Sequence, residues 1–294
     1  MQQRKLISFD FAIKKLLRSK ANFEVLEGFL SELLFEDIII LEVLESESNK
    51  EQKDDKYNRI DIKVKNTKKE IILIELQYDR EMDYMQRILY ASSKAIVEHM
   101  QESFSYSKLS KIISISILYF DFGYGDDYIY KGTTNFIGLH NKSLLQLNEE
   151  QKRLYKTDRI EKIYPEYYLI KVKNFNNNSK DTLDEWINFL KNEEIPDNPK
   201  AKGLLKAKEA LDYLKMNDNQ KRDFDQYQKT IRNQASAYES TYVLGEMKGM
   251  EKGMEKGKLQ EKIEIAKNCL RKGFDIDTIK SITGLSEKEI SQLK

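Results

Sequence analysis

Residues Ile60–Tyr78 read IDIKVKNTKKEIILIELQY, and no other stretch constrains the fold as strongly. A first strand, a lysine-rich turn near Asn66–Lys69 and a second strand make a hairpin. The run IILIEL has the composition of a central strand buried on both faces, yet Glu75 and Gln77 interrupt it. Side chains alternate between the faces of a strand. Asp61, Lys63 and Lys65 therefore share one face of the first strand, and Ile71, Leu73, Glu75 and Gln77 share one face of the second. Pairing across the turn brings Asp61 near the level of Ile74–Glu75. Where the polar faces coincide, the two carboxylates come within reach of each other, with Gln77 one step along.

Two ionised carboxylates that close repel, and partial burial adds a desolvation cost. Three remedies exist. One acid protonates, a cationic side chain pairs with them, or a divalent cation binds between them. A hard cation such as Mg²⁺ suits two carboxylates plus waters, and it can polarise a phosphoryl oxygen and activate water. Lys63, on the same face, is placed either to neutralise the acids or to contact substrate. The ordinary alternative is a solvent-facing hairpin with cross-strand Asp–Lys and Glu–Lys pairs. The apolar composition around Glu75 counts against it.

The rest of the chain reads as α/β followed by all-α. Apolar residues recur at helical steps from Phe9 to Leu34, as two helices broken near Ser19–Asn22. Strands are expected at Asp37–Glu45, Lys111–Phe120, Thr134–Asn141 and Ile163–Phe175, and a helix at Arg80–Glu102. From Thr182 onward everything is helical, including Leu183–Lys191, Ala201–Met216 and Lys221–Tyr242. The asparagine run Asn176–Asn178 sets a boundary. It gives an α/β domain over 1–175, a helical extension over 176–240, and a tail over 241–294.

In the tail, Gly245, Gly249, Gly253 and Gly257 stand four residues apart and form one stripe on a helix. Each costs roughly 1 kcal/mol against alanine. The stripe reads either as a solvated linker helix or as a surface for close packing against a partner chain, which leaves homo-oligomerisation through the C-terminal helices open. Beyond it, three short helices are expected. Gly273 stops the first, the second starts at Asp275–Asp277, and Ser286 with Glu289 has capping-box spacing for the third. This resembles a helix-turn-helix module. Its last helix lacks a dense basic cluster, which favours a small interaction or oligomerisation module over a DNA reader.

Composition narrows the partners. The 294 residues are 34% charged but carry a formal net charge of +1. Nucleic-acid binding must therefore use a local patch and not a whole-protein field. The single cysteine, Cys269, and two histidines, His99 and His140, argue against disulfides and Cys- or His-based metal clusters. No stretch approaches the roughly 18 consecutive apolar residues of a membrane span. No signal-like N-terminus is evident, so a cytoplasmic protein without membrane association is the expectation.

Four stretches carry a family resemblance: FDFAIKKLL at Phe9–Leu17, DKYNRIDIKVKN at Asp55–Asn66, IILIELQ at Ile71–Gln77 and MQRILYASSKAI at Met85–Ile96. Together with the late strand YYLIKVKNF and the glycine–glutamate–lysine repeats, they resemble the PD-(D/E)XK nuclease superfamily. The nearer resemblance is to its recombination-promoting nuclease (Rpn) and transposase-like family. The resemblance implies a three-layer restriction-endonuclease-like fold with a mixed central sheet, followed by an α-helical C-terminal region. It also implies DNA as partner and Mg²⁺ as cofactor, with Mn²⁺ as a substitute. Asp61 falls on the first metal-binding Asp and Glu75 on the acid of the (D/E)XK element. Gln77 falls where the superfamily usually has Lys and the nearer family commonly has Gln, so the departure is from the superfamily and not from the nearer relatives. Asp10 matches a helix-borne acid that some members add to the metal site. Glutamine supplies no charge and takes no proton, although it can orient a water. Arg87 and Tyr90 match recurrent family positions. Arg87 is either a bidentate phosphate ligand or the partner of Glu81, Asp83 or another acid. Tyr90 is either a substrate contact or a packed helix residue.

The leading reading is a metal-dependent DNA endonuclease linked to recombination or mobile elements, with Asp61, Glu75 and Gln77 catalytic. A second is a degenerate nuclease fold kept for binding DNA or protein, or for oligomerisation. A third, strand transfer by a true transposase, ranks low. The sequence shows no second acidic triad and no evident end-recognition domain.

Overall fold

The computed structural model describes residues 11–12, 20–44, 61–100, 105–212 and 216–293. They fall into two compact units, Met1–Phe224 and Asp225–Lys294. Most of the helix expected to begin at Phe9 lies outside the described residues.

The first unit is built on a mixed sheet of six described strands: β1 (Ile40–Leu44), β2 (Ile62–Asn66), β3 (Ile71–Gln77), β4 (Ile112–Leu118), β5 (Ile129–Gly132) and β6 (Glu166–Lys171). Their spatial order is β1-β2-β3-β4-β6-β5. The β1–β2, β2–β3 and β5–β6 pairs are antiparallel, and β3–β4 and β4–β6 are parallel. β3 and β4 lie centrally, buried on both faces, which is what IILIEL and IISISIL dictate. The edge strand β5 is half exposed.

Helix α1 (Phe23–Leu34) precedes the sheet, and α2 (Tyr84–Glu98) connects β3 to β4. A parallel pair requires such a crossover. From α2, Ala95 packs on Ile71, Leu73 and Ile112. At its other end Tyr84 and Ile88 pack on Leu118 and Phe120. α2 therefore covers the face of β3 that carries Leu73, Glu75 and Gln77.

α3 (Glu149–Tyr155) is a short exposed helix with an Asn148–Gln151 capping box. α4 (Thr182–Asn192) and α5 (Leu204–Ala210) follow β6. Trp186 of α4 meets the Phe29 ring of α1 edge-on at 5.6 Å and donates its indole N–H to the Lys202 carbonyl at 3.1 Å. Gly28 of α1 lies against the turn entering α5, where a Cβ would stand 2.3 Å from the Lys202 carbonyl oxygen. Gly203 opposite has φ +76°, a conformation glycine adopts without strain. These contacts place α4 and α5 in the same unit as the sheet. The compact units divide between Phe224 and Asp225, and the first of them includes the helices that follow the asparagine run.

One expected strand is corrected. Thr134–Asn141 does not enter the sheet and forms an isolated bridge, Ile137 to Leu144, around a turn. Its apolar side chains Phe136, Ile137 and Leu139 are exposed. The neighbouring Ile129–Gly132 takes the edge position instead, pairing with Tyr167–Ile170.

Helix α6 (Asp218–Arg271) is continuous for 54 residues. Its four spaced glycines have nothing within 4 Å of where a Cβ would stand. In the second unit α6 is followed by α7 (Ile276–Thr283) and α8 (Glu287–Ser291). Gly273 takes φ +79° after the first helix, Asp275 caps α7, and Ser286 with Glu289 completes a capping box on α8. Ala266, Ile279, Leu285 and Ile290 form the small core that joins the three. No described helix is long and apolar enough to cross a membrane.

Candidate active site

The hairpin register fixes the site. Ile62 stands opposite Ile74 and Lys63 opposite Leu73, so one further step sets Asp61 opposite Glu75. The Asp61 N–H donates to the Ile74 carbonyl at 3.1 Å, and its carboxylate accepts from the Leu76 N–H at 2.7 Å. That second bond turns the Asp61 side chain toward β3 at the position of Glu75.

Glu75 is 7% exposed. The first turn of α2 supplies its partners. Arg87 donates Nη2–H to Glu75 Oε1, and the Tyr84 hydroxyl donates to Glu75 Oε2 at 3.4 Å. Tyr84 is fully buried and also shares a hydrogen bond with Ser116, the residue beside Glu75 on β4. Burial pushes the Glu75 carboxyl up. The Arg87 guanidinium opposes that, the Asp61 and Glu81 charges add to it, and the result is about 7. Burial, with Glu75 alongside, also raises the Tyr84 phenol well above its ordinary value, so this phenol is a hydrogen-bond donor and not a base.

Gln77 donates its amide N–H groups to the Glu81 carboxylate at 3.1 Å and to the Asp79 carbonyl at 3.0 Å. Glu81 Oε1 also accepts from Arg87 Nη1 at 2.6 Å. Arg87 thus spans two acids, one on β3 and one in the link to α2.

The remaining expected residues are placed as follows. Lys63 shares the face of Asp61, but its buried ammonium donates to Glu98 of α2 at 2.8 Å; the fold does not bring it to Glu75. Tyr90 is about half exposed on α2. Asp10 lies outside the described residues. Among the described residues, no group of three or more His, Cys, Asp or Glu converges as a metal cage.

The donor set nevertheless fits a hard divalent cation. Asp61 and Glu75 offer carboxylate oxygens, the ligands such ions prefer. Burial pushes the Glu75 carboxyl up first, and the Asp61 and Glu81 charges add a repulsion that a bound cation would offset.

A sequence model described as PD-(D/E)XK nuclease family transposase matches residues 7–241, most of the chain. The chain belongs to this family. The match spans the β2–β3 hairpin and runs on through α4 and α5. A second model, the C-terminal HTH domain of the Rpn/YhgA-like nuclease family, matches residues 259–294, which hold the end of α6, α7 and α8. No curated protein and no solved structure matches the chain.

Two contributors escape a reading of the sequence as site residues. Tyr84 looks like an ordinary helix aromatic. Glu81, visible only as one candidate partner of Arg87, sits in a link without periodicity. The available signal is the cluster of polar residues between Gln77 and Arg87, bracketed by a buried strand and a buried helix.

Proposed function

We propose that the first unit is a divalent-cation-dependent DNA endonuclease that hydrolyses phosphodiester bonds, in a chain serving recombination or mobile elements. The observation that carries it is the buried Glu75 carboxylate facing Asp61 across the β2–β3 hairpin, with its carboxyl pushed up by burial and by both neighbouring acids.

Asp61 and Glu75 would hold Mg²⁺, or Mn²⁺ in its place, with Asp10 as a candidate third ligand. When bound, the cation supplies a Lewis acid that polarises a phosphoryl oxygen and stabilises charge on the attacking water. The protein does the rest by orientation. The Leu76 N–H fixes the Asp61 carboxylate, and Tyr84 fixes Glu75. The Gln77 amide nitrogen is spent on Glu81 and the Asp79 carbonyl, so its carbonyl oxygen is the end that can accept from a water and aim it. Tyr90, about half exposed on α2, would be a DNA contact. Lys63 supports this site from Glu98 and not by touching substrate. DNA is the partner, consistent with the HTH match over 259–294. Because α8 carries Glu287 and Glu289 beside Lys288, its contact to DNA needs more than the helix itself.

A labelled DNA duplex incubated with Mg²⁺ tests this reading. The full chain should cleave it, and Asp61→Ala should reduce cleavage at least a hundredfold. Cleavage by Asp61→Ala at the wild-type rate would remove the assignment.

Two features favour a second reading, a nuclease fold retained for binding. Arg87 already pairs with Glu75, and Gln77 brings no cation to the site. Under that reading Mn²⁺ leaves the melting temperature unchanged. Under the first, Mn²⁺ raises it and Glu75→Gln abolishes the rise.

A further inference from the structure

Buried carboxylates in this hairpin are relieved by a proton, a cationic side chain or a divalent cation. The described structure holds the second. The Arg87 side chain is 15% exposed, and its two terminal nitrogens go to different acids, Nη2 to Glu75 and Nη1 to Glu81. This differs from a fork closed on one carboxylate. Arg87 is also fixed at its root. Its backbone N–H bonds to the Asp83 carbonyl at 3.1 Å in the first turn of α2, and its guanidinium lies 5.9 Å from the centre of the buried Tyr84 ring.

We propose that Arg87 is a built-in counter-cation, which neutralises Glu75 until a divalent cation replaces it and frees the guanidinium for a substrate phosphate. The inference rests on Asp61 and Glu75 being the metal-holding pair. Two cations on one buried carboxylate repel each other. Metal entry therefore weakens the bond between Nη2 and Glu75, and the guanidinium competes with the metal in turn. The Glu81 contact gives the exchange its second half. A guanidinium released from Glu75 stays tethered through Nη1 to Glu81, beside the site, with N–H donors open to a phosphate. In this way a residue expected to bind phosphate and the same residue found paired with acids are two states of one device. Gln77 fits the scheme. A lysine there would stand beside Glu81 and Arg87 as a second resident cation and oppose the metal further.

The test uses the full chain, Mn²⁺ alone and no DNA. Wild type, Arg87→Met and Arg87→Lys are titrated with Mn²⁺ by calorimetry and melted with and without it. Without metal, Arg87→Met should melt below wild type, because Glu75 is left buried without a counter-charge. Its Mn²⁺ dissociation constant should be about tenfold lower than that of wild type, and its melting temperature should rise more on adding Mn²⁺. Arg87→Lys keeps the charge but cannot span both acids, so it should fall between the two. Wild type that binds Mn²⁺ with Arg87→Met binding equally or more weakly overturns the inference and makes Arg87 a positioning residue for Glu75, while the metal site stands. An Arg87→Met chain that stays unfolded even in saturating Mn²⁺ also overturns it. Absence of Mn²⁺ binding in all three chains removes the metal site and the inference together.

Discussion

The Gln77 side-chain amide donates to the Glu81 carboxylate at 3.1 Å, and the same carboxylate oxygen receives Arg87. The last residue of β3 is therefore tied to the link between β3 and α2 and contributes no charge. Gln77→Leu removes this bond and the water acceptor while keeping similar volume. We expect about a tenfold fall in DNA cleavage rate, since each modest hydrogen bond is worth about 1 kcal/mol. The melting temperature should change little, because Gln77 is only half-buried. A leucine variant with full activity would show that Gln77 does not orient the water.

Gly28 and Gly249 predict opposite signs for one substitution. A Cβ on Gly28 would meet the Lys202 carbonyl at 2.3 Å, whereas Gly249 has open space around it on α6. Gly28→Ala should destabilise the first unit by about 2 kcal/mol or more, because the clash is with backbone that cannot rotate away. Gly249→Ala should stabilise α6 by up to about 1 kcal/mol. Urea denaturation of both variants checks the pair, and a stabilised Gly28→Ala would refute the packing of α1 on the entry to α5.

Glu166 predicts an acid-sensitive stability. Burial alone would raise its carboxyl, but hydrogen bonds from the Lys111 and Lys131 ammonium groups outweigh it and hold the group at about 2. A depressed carboxyl contributes stability that is fully present above its unfolded value of about 4.5 and is lost as pH falls toward 2. The contribution at neutral pH is about 2–3 kcal/mol. The stability gap between wild type and Glu166→Gln should therefore be largest near pH 7 and shrink between pH 5 and pH 2. A gap constant across that range would mean that the lysines do not hold the charge.

Lys63 predicts a separation of stability from activity. Its ammonium is committed to Glu98. Lys63→Met should cost about 1 kcal/mol or less, because Glu98 is partly solvated and methionine fills the space. DNA cleavage should stay within about twofold of wild type. A large loss of DNA affinity with unchanged melting would restore Lys63 as a substrate contact.

The hairpin was legible because its information is local. Strand parity and a four-residue turn set Asp61 opposite Glu75, and both residues are close in the chain. The helix caps at Asp275 and Ser286 were legible for the same reason. The Arg87 contact was only half legible. Its position on a helix follows from spacing, but whether that helix face meets Glu75 depends on how residues 78–83 turn the chain, and no periodic pattern encodes that. The edge strand was misplaced because Phe136, Ile137 and Leu139 look apolar enough to pair, and nothing local says that Ile129–Gly132 reaches β6 first. The packing of α4 and α5 on α1 is not legible for a longer-range reason: the contact of Gly28 with Lys202 joins residues far apart in the chain.

The most direct measurement is nicking of supercoiled plasmid by the full chain in Mg²⁺ and in chelator, set beside Glu75→Gln. Glutamine keeps the shape of Glu75 but removes the charge that would hold a cation. The account predicts nicked and then linear product from wild type in Mg²⁺, none in chelator, and at least a hundredfold less from Glu75→Gln. Equal nicking by wild type and Glu75→Gln, or nicking unaffected by chelator, would contradict it.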